Sequence, residues 1–138
     1  MEAVETIRQL NGVSVVEIAK DYWGPSGELG VDNLRVSESN LLFDLLVPTG
    51  FYDMWDYIWQ SEKNKGSTQK VQIFQAGRRL IGSQITTISR EGEGRDIVGP
   101  EQYRLAFVVP LAALKPDIPI EVRFFWEGKL ISTAISKT

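Results

Sequence analysis

The stretch Ile118-Pro-Ile-Glu-Val-Arg-Phe-Phe-Trp126 gives the clearest indication of how this chain folds. Polar Glu121 and Arg123 separate apolar side chains that occupy every second position: Ile118, Ile120, Val122, Phe124 and Trp126. Side chains of a β-strand point alternately to opposite faces, so this pattern predicts a strand with one buried face. A turn sequence follows at 127–129, and residues 130–136 alternate again. The segment therefore predicts a C-terminal β-hairpin.

The same period of two recurs along most of the chain. We predict further strands at 13–20, 31–36, 41–47, 70–75, 79–89 and 103–109. Residues 76–78 are predicted to turn strand 70–75 back into strand 79–89 as a second hairpin. The segment 41–47 is almost continuously apolar, which predicts burial on both of its faces.

Proline and glycine mark the connections between these segments. Pro110 ends the strand at 103–109, and the short apolar stretch that follows stops before Pro116. A stretch of this length predicts one helical turn that crosses from one sheet to another.

One segment follows a helical period instead. After Pro48-Thr-Gly50, apolar residues are spaced at i, i+3, i+4, i+7 and i+8: Phe51, Met54, Trp55, Ile58 and Trp59. This spacing predicts a short α-helix near 51–62. Aromatic residues also alternate within 51–59, so an aromatic strand is the alternative.

Short strands with turns every eight to twelve residues define the expected fold class. We predict a mainly β chain, an antiparallel β-sandwich of immunoglobulin-like or jelly-roll type with about seven or eight strands. One short α-helix is inserted near 51–62, and a barrel plugged by that helix is the alternative architecture. The 138 residues suit a single domain spanning 1–138.

The composition excludes several kinds of chemistry. The chain contains neither cysteine nor histidine, so disulfides, thiolate or imidazole metal sites and histidine-based triads are excluded. We expect no cofactor, no metal site and no enzymatic activity. Asp53 and Asp56 are the nearest approach to paired catalytic carboxylates, but neighbouring acids on a solvated helix face do not span a substrate cleft. A small carboxylate-dependent hydrolase is therefore the weakest of three functional hypotheses.

No membrane span is expected, since no apolar run approaches the about 20 residues that a bilayer requires. The acidic N-terminal residues do not resemble a secretory signal, so we expect a cytoplasmic location.

The charges are divided unevenly between the two halves of the sequence. Residues 1–62 hold eleven acids and three bases, a net charge of −8, whereas residues 63–138 hold twelve bases and seven acids, a net charge of +5. Residues 63–90 contain six bases and no acid. This asymmetry predicts an acidic and a basic face that could steer a charged partner. Alternatively, strands from the two halves interleave and the charges mix.

The leading hypothesis is a non-enzymatic module for protein interaction or self-assembly. Its partner-binding surface would combine the aromatic segment 51–59 with a basic turn at 78–79, through six side chains: Tyr52, Trp55, Tyr57, Trp59, Arg78 and Arg79. The same aromatic residues could instead pack in the core. The second hypothesis is a carbohydrate-binding module that stacks sugars on Trp and Tyr. Nucleic acid is not an expected partner, because the net charge of the chain is −3.

Overall fold

The structure, a computed structural model, describes residues 2–17, 28–48, 71–91, 102–126 and 129–136. These ranges contain one α-helix, one 3₁₀ turn and nine strands. In chain order they are α1 (Glu2–Arg8), β1 (Val16–Glu17), β2 (Gly30–Ser37), β3 (Asn40–Pro48), β4 (Val71–Gln75), β5 (Arg78–Arg79), β6 (Gln84–Glu91), β7 (Gln102–Pro110), the 3₁₀ turn (Leu111–Ala113), β8 (Ile120–Trp126) and β9 (Lys129–Ile135).

The strands form two antiparallel sheets, which confirms the predicted mainly β fold class. One sheet has five strands in the order β1-β9-β8-β4-β5, and the other has four in the order β2-β3-β7-β6. The nine described strands include β1 and β5, which have only two residues each. Without these two short strands, the count is seven, within the predicted seven or eight. Buried side chains from both sheets, such as Ile73 and Leu105, belong to one hydrophobic cluster, as expected when two sheets pack face to face.

The four-stranded sheet follows the predicted alternation. Along β7, buried Tyr103, Leu105, Phe107 and Val109 alternate with half-buried neighbours, because only one face of the strand meets the core. Phe107 stacks on Phe43 of β3, its directly opposite residue, with ring centroids 5.4 Å apart. The prediction that 41–47 is buried on both faces was wrong: Leu42, Asp44 and Leu46 on the second face are only half-buried.

The five-stranded sheet contains the predicted C-terminal hairpin. β8 and β9 pair antiparallel, with Trp126 opposite Lys129 at the turn end. β4 pairs with the other side of β8, so that Gln75 lies opposite Ile120. The 3₁₀ turn connects β7 in the four-stranded sheet to β8 in the five-stranded sheet, which confirms the predicted crossing between sheets.

The predicted return strand 79–89 was wrong, because the chain changes sheets at Leu80–Ser83. Residues 78–79 pair with β4, whereas residues 84–91 pair with β7 in the other sheet. The turn places Gly82 at a φ of +84°, a conformation that favours glycine. A Cβ at Gly82 would lie 3.0 Å from Cγ of Pro110, so the turn packs closely on the end of β7.

Two further predictions and one element that was not predicted concern the first half of the chain. Helix α1 was not predicted; its seven residues are held by burial of Ile7 and, just beyond the helix, Leu10. Within the predicted strand 13–20, the described part forms only β1 and an isolated bridge from Ser14 to Glu28. The predicted helix near 51–62 lies outside the described residues. No helix in the described part of the chain has the length and apolarity to cross a membrane.

The two turn glycines of this region provide a matched test of the sheet change. Gly77 has a φ of +76° and open space around its missing Cβ, whereas Gly82 has the same kind of φ and a close Pro110. We expect Gly77→Ala to lower the free energy of unfolding by about 1–2 kcal/mol through backbone strain alone. Gly82→Ala should cost more, because the added methyl also meets Pro110. Urea denaturation of both variants measures the difference in the free energy of unfolding. Equal losses for the two variants would contradict the close packing of Gly82 against Pro110.

Candidate functional site

An open groove of about 600 Å³ lies beside β5, at the edge of the five-stranded sheet. Three segments line it: the β4–β5 hairpin with the turn after it, the 3₁₀ turn, and the loop that leads into β8. We call it the β5 groove. The lining side chains most relevant to binding are Arg78, Arg79, Ile81, Lys115 and Ile118.

A buried glutamine holds two of these segments together. Gln75, at the end of β4, is 4% exposed. Its Nε2 donates hydrogen bonds to the backbone oxygens of Lys115 (2.8 Å) and Ile118 (3.0 Å), and its Oε1 accepts one from the Lys115 N–H (2.9 Å). Because one side chain satisfies three backbone groups, the loop 115–118 is fixed against the hairpin. This fixes one wall of the β5 groove.

The hairpin turn sets the directions of the two arginines. Ala76 (φ 50°) and Gly77 (φ 76°) connect β4 to β5, the left-handed pair typical of a type I′ turn. The resulting register places Arg78 opposite Gln75 and Arg79 opposite Phe74. Directly opposite residues share a sheet face, so the two arginine side chains leave β5 on opposite faces. Residues 78–79, predicted as a turn, form the short strand β5, because the turn itself is at Ala76 and Gly77. Their cations thus lie on both faces of one sheet edge.

The sheet change exposes an aliphatic side chain next to these arginines. Leu80 continues the buried face of β5 and is 5% exposed, whereas the next residue, Ile81, is 85% exposed. The Ser83 hydroxyl donates a hydrogen bond to the Leu80 oxygen (2.8 Å), which closes the turn. Ile81 is the most exposed of the described large hydrophobic side chains and is held in that position by a tight turn.

The charged side chains that line the β5 groove are all cationic in the described residues. The described lining includes Arg78, Arg79 and Lys115 and no carboxylate, although Asp117 lies in the adjoining loop. The neighbouring Arg123 is different: its guanidinium lies over the Phe74 ring, 4.0 Å from the centroid, and it is paired with Glu121. The charges of Arg123 and Glu121 therefore offset each other, whereas the three groove cations form a local positive surface.

A second groove of about 560 Å³ lies between the α1–β1 loop and β9. Its lining carries amides and hydroxyls, including Gln9, Asn11, Ser14 and Thr133, and the half-exposed Ile135. No charged or aromatic side chain contributes to this lining among the described residues. We call it the neutral groove.

A network of acids spans the outer face of the four-stranded sheet. Asp32 of β2 lies opposite Asp44 of β3, and Arg104 of β7 bonds to both carboxylates (2.9 and 2.7 Å). Asn33 adds a hydrogen bond from Nδ2 to Asp44 (2.8 Å). The hydrogen bond from Arg104, followed by that from the Asn33 backbone N–H, lowers the pKa of Asp32 below its ordinary 3.8. The guanidinium offsets the repulsion between two opposed acids.

The structure describes two of the six predicted site residues. Arg78 and Arg79 are exposed and line the β5 groove. Tyr52, Trp55, Tyr57 and Trp59 lie outside the described residues, so their predicted role stays a prediction. In the described ranges no three acidic side chains cluster in a way that could hold a metal ion.

Sequence reasoning missed three residues of the β5 groove. Lys115 and Ile118 lie in a loop far from β5 in sequence, and the β4–β8 pairing and the Gln75 hydrogen bonds bring them close. Ile81 was assigned to the interior of a strand. The glycine at 82, within the predicted strand 79–89, was the available signal for a turn there.

The described part of the chain is mainly β, with two antiparallel sheets and a positively charged, partly apolar groove at one sheet edge. No protein-family model matches the chain, and neither the curated proteins nor the solved structures include a significant match.

Replacement of Gln75 by glutamate tests the hydrogen bonds that fix the groove wall. Gln75→Glu keeps an acceptor for Lys115 N–H but removes the donor to two carbonyl oxygens and buries a charge. We expect the free energy of unfolding to fall by about 2–5 kcal/mol in urea denaturation. The matched control is Gln84→Glu at an exposed position of β6, expected to change stability by about 0.5 kcal/mol at most. Equal effects of the two changes would show that Gln75 does not hold the loop.

The pKa of Asp32 leads to a pH-dependent prediction. Its folded-state pKa is lowered, so the ion pair adds stability above about pH 3.8, and that stability is lost as the pH falls through the folded-state value. Asp32→Asn should therefore destabilise the protein most at neutral pH, and the difference from the native chain should shrink towards pH 3. Thermal melts across this range measure it. Glu38→Gln, which removes an exposed carboxylate in the β2–β3 turn, is the charge-matched control. A pH-independent difference for Asp32→Asn would contradict the ion-pair assignment.

Proposed function

We propose that this domain is a non-enzymatic protein-interaction module and that the β5 groove is its docking surface. The observation that carries the proposal is the position of Ile81, 85% exposed beside three cations. Protein interfaces commonly combine an apolar anchor with charges at the rim that select the partner and its orientation. The aromatic segment 51–59 belongs to the same hypothesis as a second contact region.

Energetic considerations support an interaction at this position. Burial of an aliphatic side chain is worth about 1.5–3 kcal/mol relative to exposure. A partner that covers Ile81 would gain free energy of this size. The turn that carries Ile81 is closed by hydrogen bonds, and the opposite wall is held by Gln75. A groove fixed before binding loses less conformational entropy when a partner docks.

The arrangement of acids gives less support to the hydrolase hypothesis. A carboxylate-dependent hydrolase needs one acid whose pKa is raised, so that it can donate a proton. Asp32 and Asp44 instead share the Arg104 guanidinium, which lowers the Asp32 pKa. Their cross-strand geometry supports a stabilising role for this pair.

A carbohydrate-binding module is the second candidate, and the neutral groove favours it. Amides and hydroxyls such as those of Asn11, Ser14 and Thr133 suit the hydroxyl groups of a sugar. Sugar binding also commonly uses aromatic side chains as stacking surfaces. The described lining of the neutral groove has no aromatic side chain, so sugar binding there has less support than protein binding at the β5 groove.

Selection of random peptides displayed on phage, with the full chain immobilised, tests the interaction function. We expect enrichment of peptides that share a sequence pattern. Ile81→Ser should weaken their binding about tenfold, since loss of an aliphatic contact of roughly 1.4 kcal/mol corresponds to that factor. The matched control is Ile135→Ser, which removes the half-exposed isoleucine of the neutral groove and should leave binding unchanged.

Two results would contradict this proposal. If no peptide is enriched and light scattering gives a monomer mass at both low and high salt, the domain has no protein-interaction function of this kind. If Ile135→Ser removes binding and Ile81→Ser does not, the docking surface is not the β5 groove.

A further inference from the structure

The charges of the β5 groove restrict the partners that it can bind. Arg78 and Arg79 project from opposite faces of the sheet edge, and Lys115 lies in the groove wall that Gln75 holds. Arg78 shares the sheet face of Gln75, so a partner that follows this edge meets Arg78 and Lys115 on that face and Arg79 on the other. Such an arrangement suits a chain with several negative charges.

The apolar part of the lining adds a second requirement. Ile81 and Ile118 border the groove, and the small side chains Ala112 and Ala113 leave room between its walls. A purely acidic chain would leave these apolar surfaces in water. A chain that alternates acids with aliphatic side chains would match both the charged and the apolar lining.

The backbone of β5 indicates the conformation of the partner. β5 is the outermost of the described strands in its sheet. Leu80 N–H donates a hydrogen bond to the Ile73 oxygen, so the pair 73 and 80 is hydrogen-bonded, and the neighbouring pair of Phe74 and Arg79 is not. The N–H and C=O of Arg79 therefore point outwards from the sheet. An extended segment can bind to such an edge as an added strand.

A second copy of this chain is a less suitable occupant than a separate protein. Several acids of the described residues already have cationic partners within the chain: Glu5 pairs with Arg8, Asp32 and Asp44 with Arg104, and Glu121 with Arg123. These internal pairs reduce the acidic surface that a second copy could offer to the groove.

We propose that the β5 groove binds an extended segment of another protein in which acidic and aliphatic residues alternate. The segment pairs with the outward backbone groups of Arg79, places an aliphatic side chain against Ile81, and places carboxylates near Arg78 and Lys115. This inference rests on the proposed function and specifies the chemistry of the partner.

Fluorescence anisotropy with labelled synthetic peptides tests this specificity. The probe is a seven-residue peptide of alternating glutamate and leucine, and the matched probe replaces every glutamate with glutamine. We expect the glutamate peptide to bind about tenfold or more tightly, with an affinity that falls as salt rises from about 0.05 to about 0.5 M. Arg78→Glu and Lys115→Glu should each weaken binding about tenfold, whereas Arg35→Glu on the other sheet should not.

Two further probes test the strand geometry. A glutamate–leucine peptide with N-methyl groups on alternate backbone amides cannot pair along one edge, and we expect it to lose most of its binding. Arg79→Pro and Arg79→Ala both remove the cation, but only proline removes the outward N–H, so Arg79→Pro should bind more weakly. Circular dichroism confirms that both variants remain folded. Unchanged binding of the N-methylated peptide would overturn the added-strand geometry.

The remaining outcomes separate this inference from the proposed function. Enriched phage peptides that are neutral or basic, or equal binding of the glutamate and glutamine peptides, would overturn the acidic partner and leave an interaction module. Equally tight binding of a single-stranded thymidine oligonucleotide would identify a general polyanion surface instead. A salt-sensitive oligomer that Arg78→Glu dissociates would identify a second copy as the occupant. Failure of both the phage selection and the peptide titration would overturn both proposals.

Discussion

The β5 groove depends on the three hydrogen bonds of the Gln75 side chain. Gln75 ends β4, lies opposite Ile120 at the start of β8, and is bonded to the loop that connects the 3₁₀ turn with β8. The Gln75 side chain therefore links the end of the β4–β8 pairing to the loop beside it. A buried amide is stable only when its polar groups are satisfied, so this loop has one favoured position against the hairpin. These hydrogen bonds also position Lys115 in the wall of the β5 groove.

The second constraint is the change of sheet at Leu80–Ser83. The chain must leave β5 after two residues because the left-handed Gly82 turns it towards β6, and Pro110 packs against that turn. The alternation of buried and exposed positions then leaves Ile81 in water while Leu80 is buried. The exposed anchor and the short edge strand thus have the same cause. A continuous strand through 79–89 would have produced neither.

The sequence predicts the parts of this fold in which alternation is long and local. β7 and the β8–β9 hairpin were predicted close to their observed bounds, because each has one buried face and a clear turn or proline at its end. Helix α1 was missed because its seven residues are too few for a clear helical period, and its stability comes from the burial of Ile7. The β5 groove was predicted only through its arginines. Its opposite wall is brought to them by the Gln75 side chain, a contact across 40 residues that no local pattern contains.

The charge split of the sequence acquires a different meaning in the fold. Two acids of the first half, Asp32 and Asp44, lie in β2 and β3. β7 from the basic half pairs with β3 and supplies Arg104 to both. Strand order therefore mixes the charges of the two halves in the four-stranded sheet. At β5 the topology acts in the opposite direction, since an edge strand has a neighbour on one side only. Arg78 and Arg79 are exposed at that edge, and no described strand from the acidic half pairs with β5 there. The local strand order, and not the net charge of either half, therefore determines where exposed cations remain.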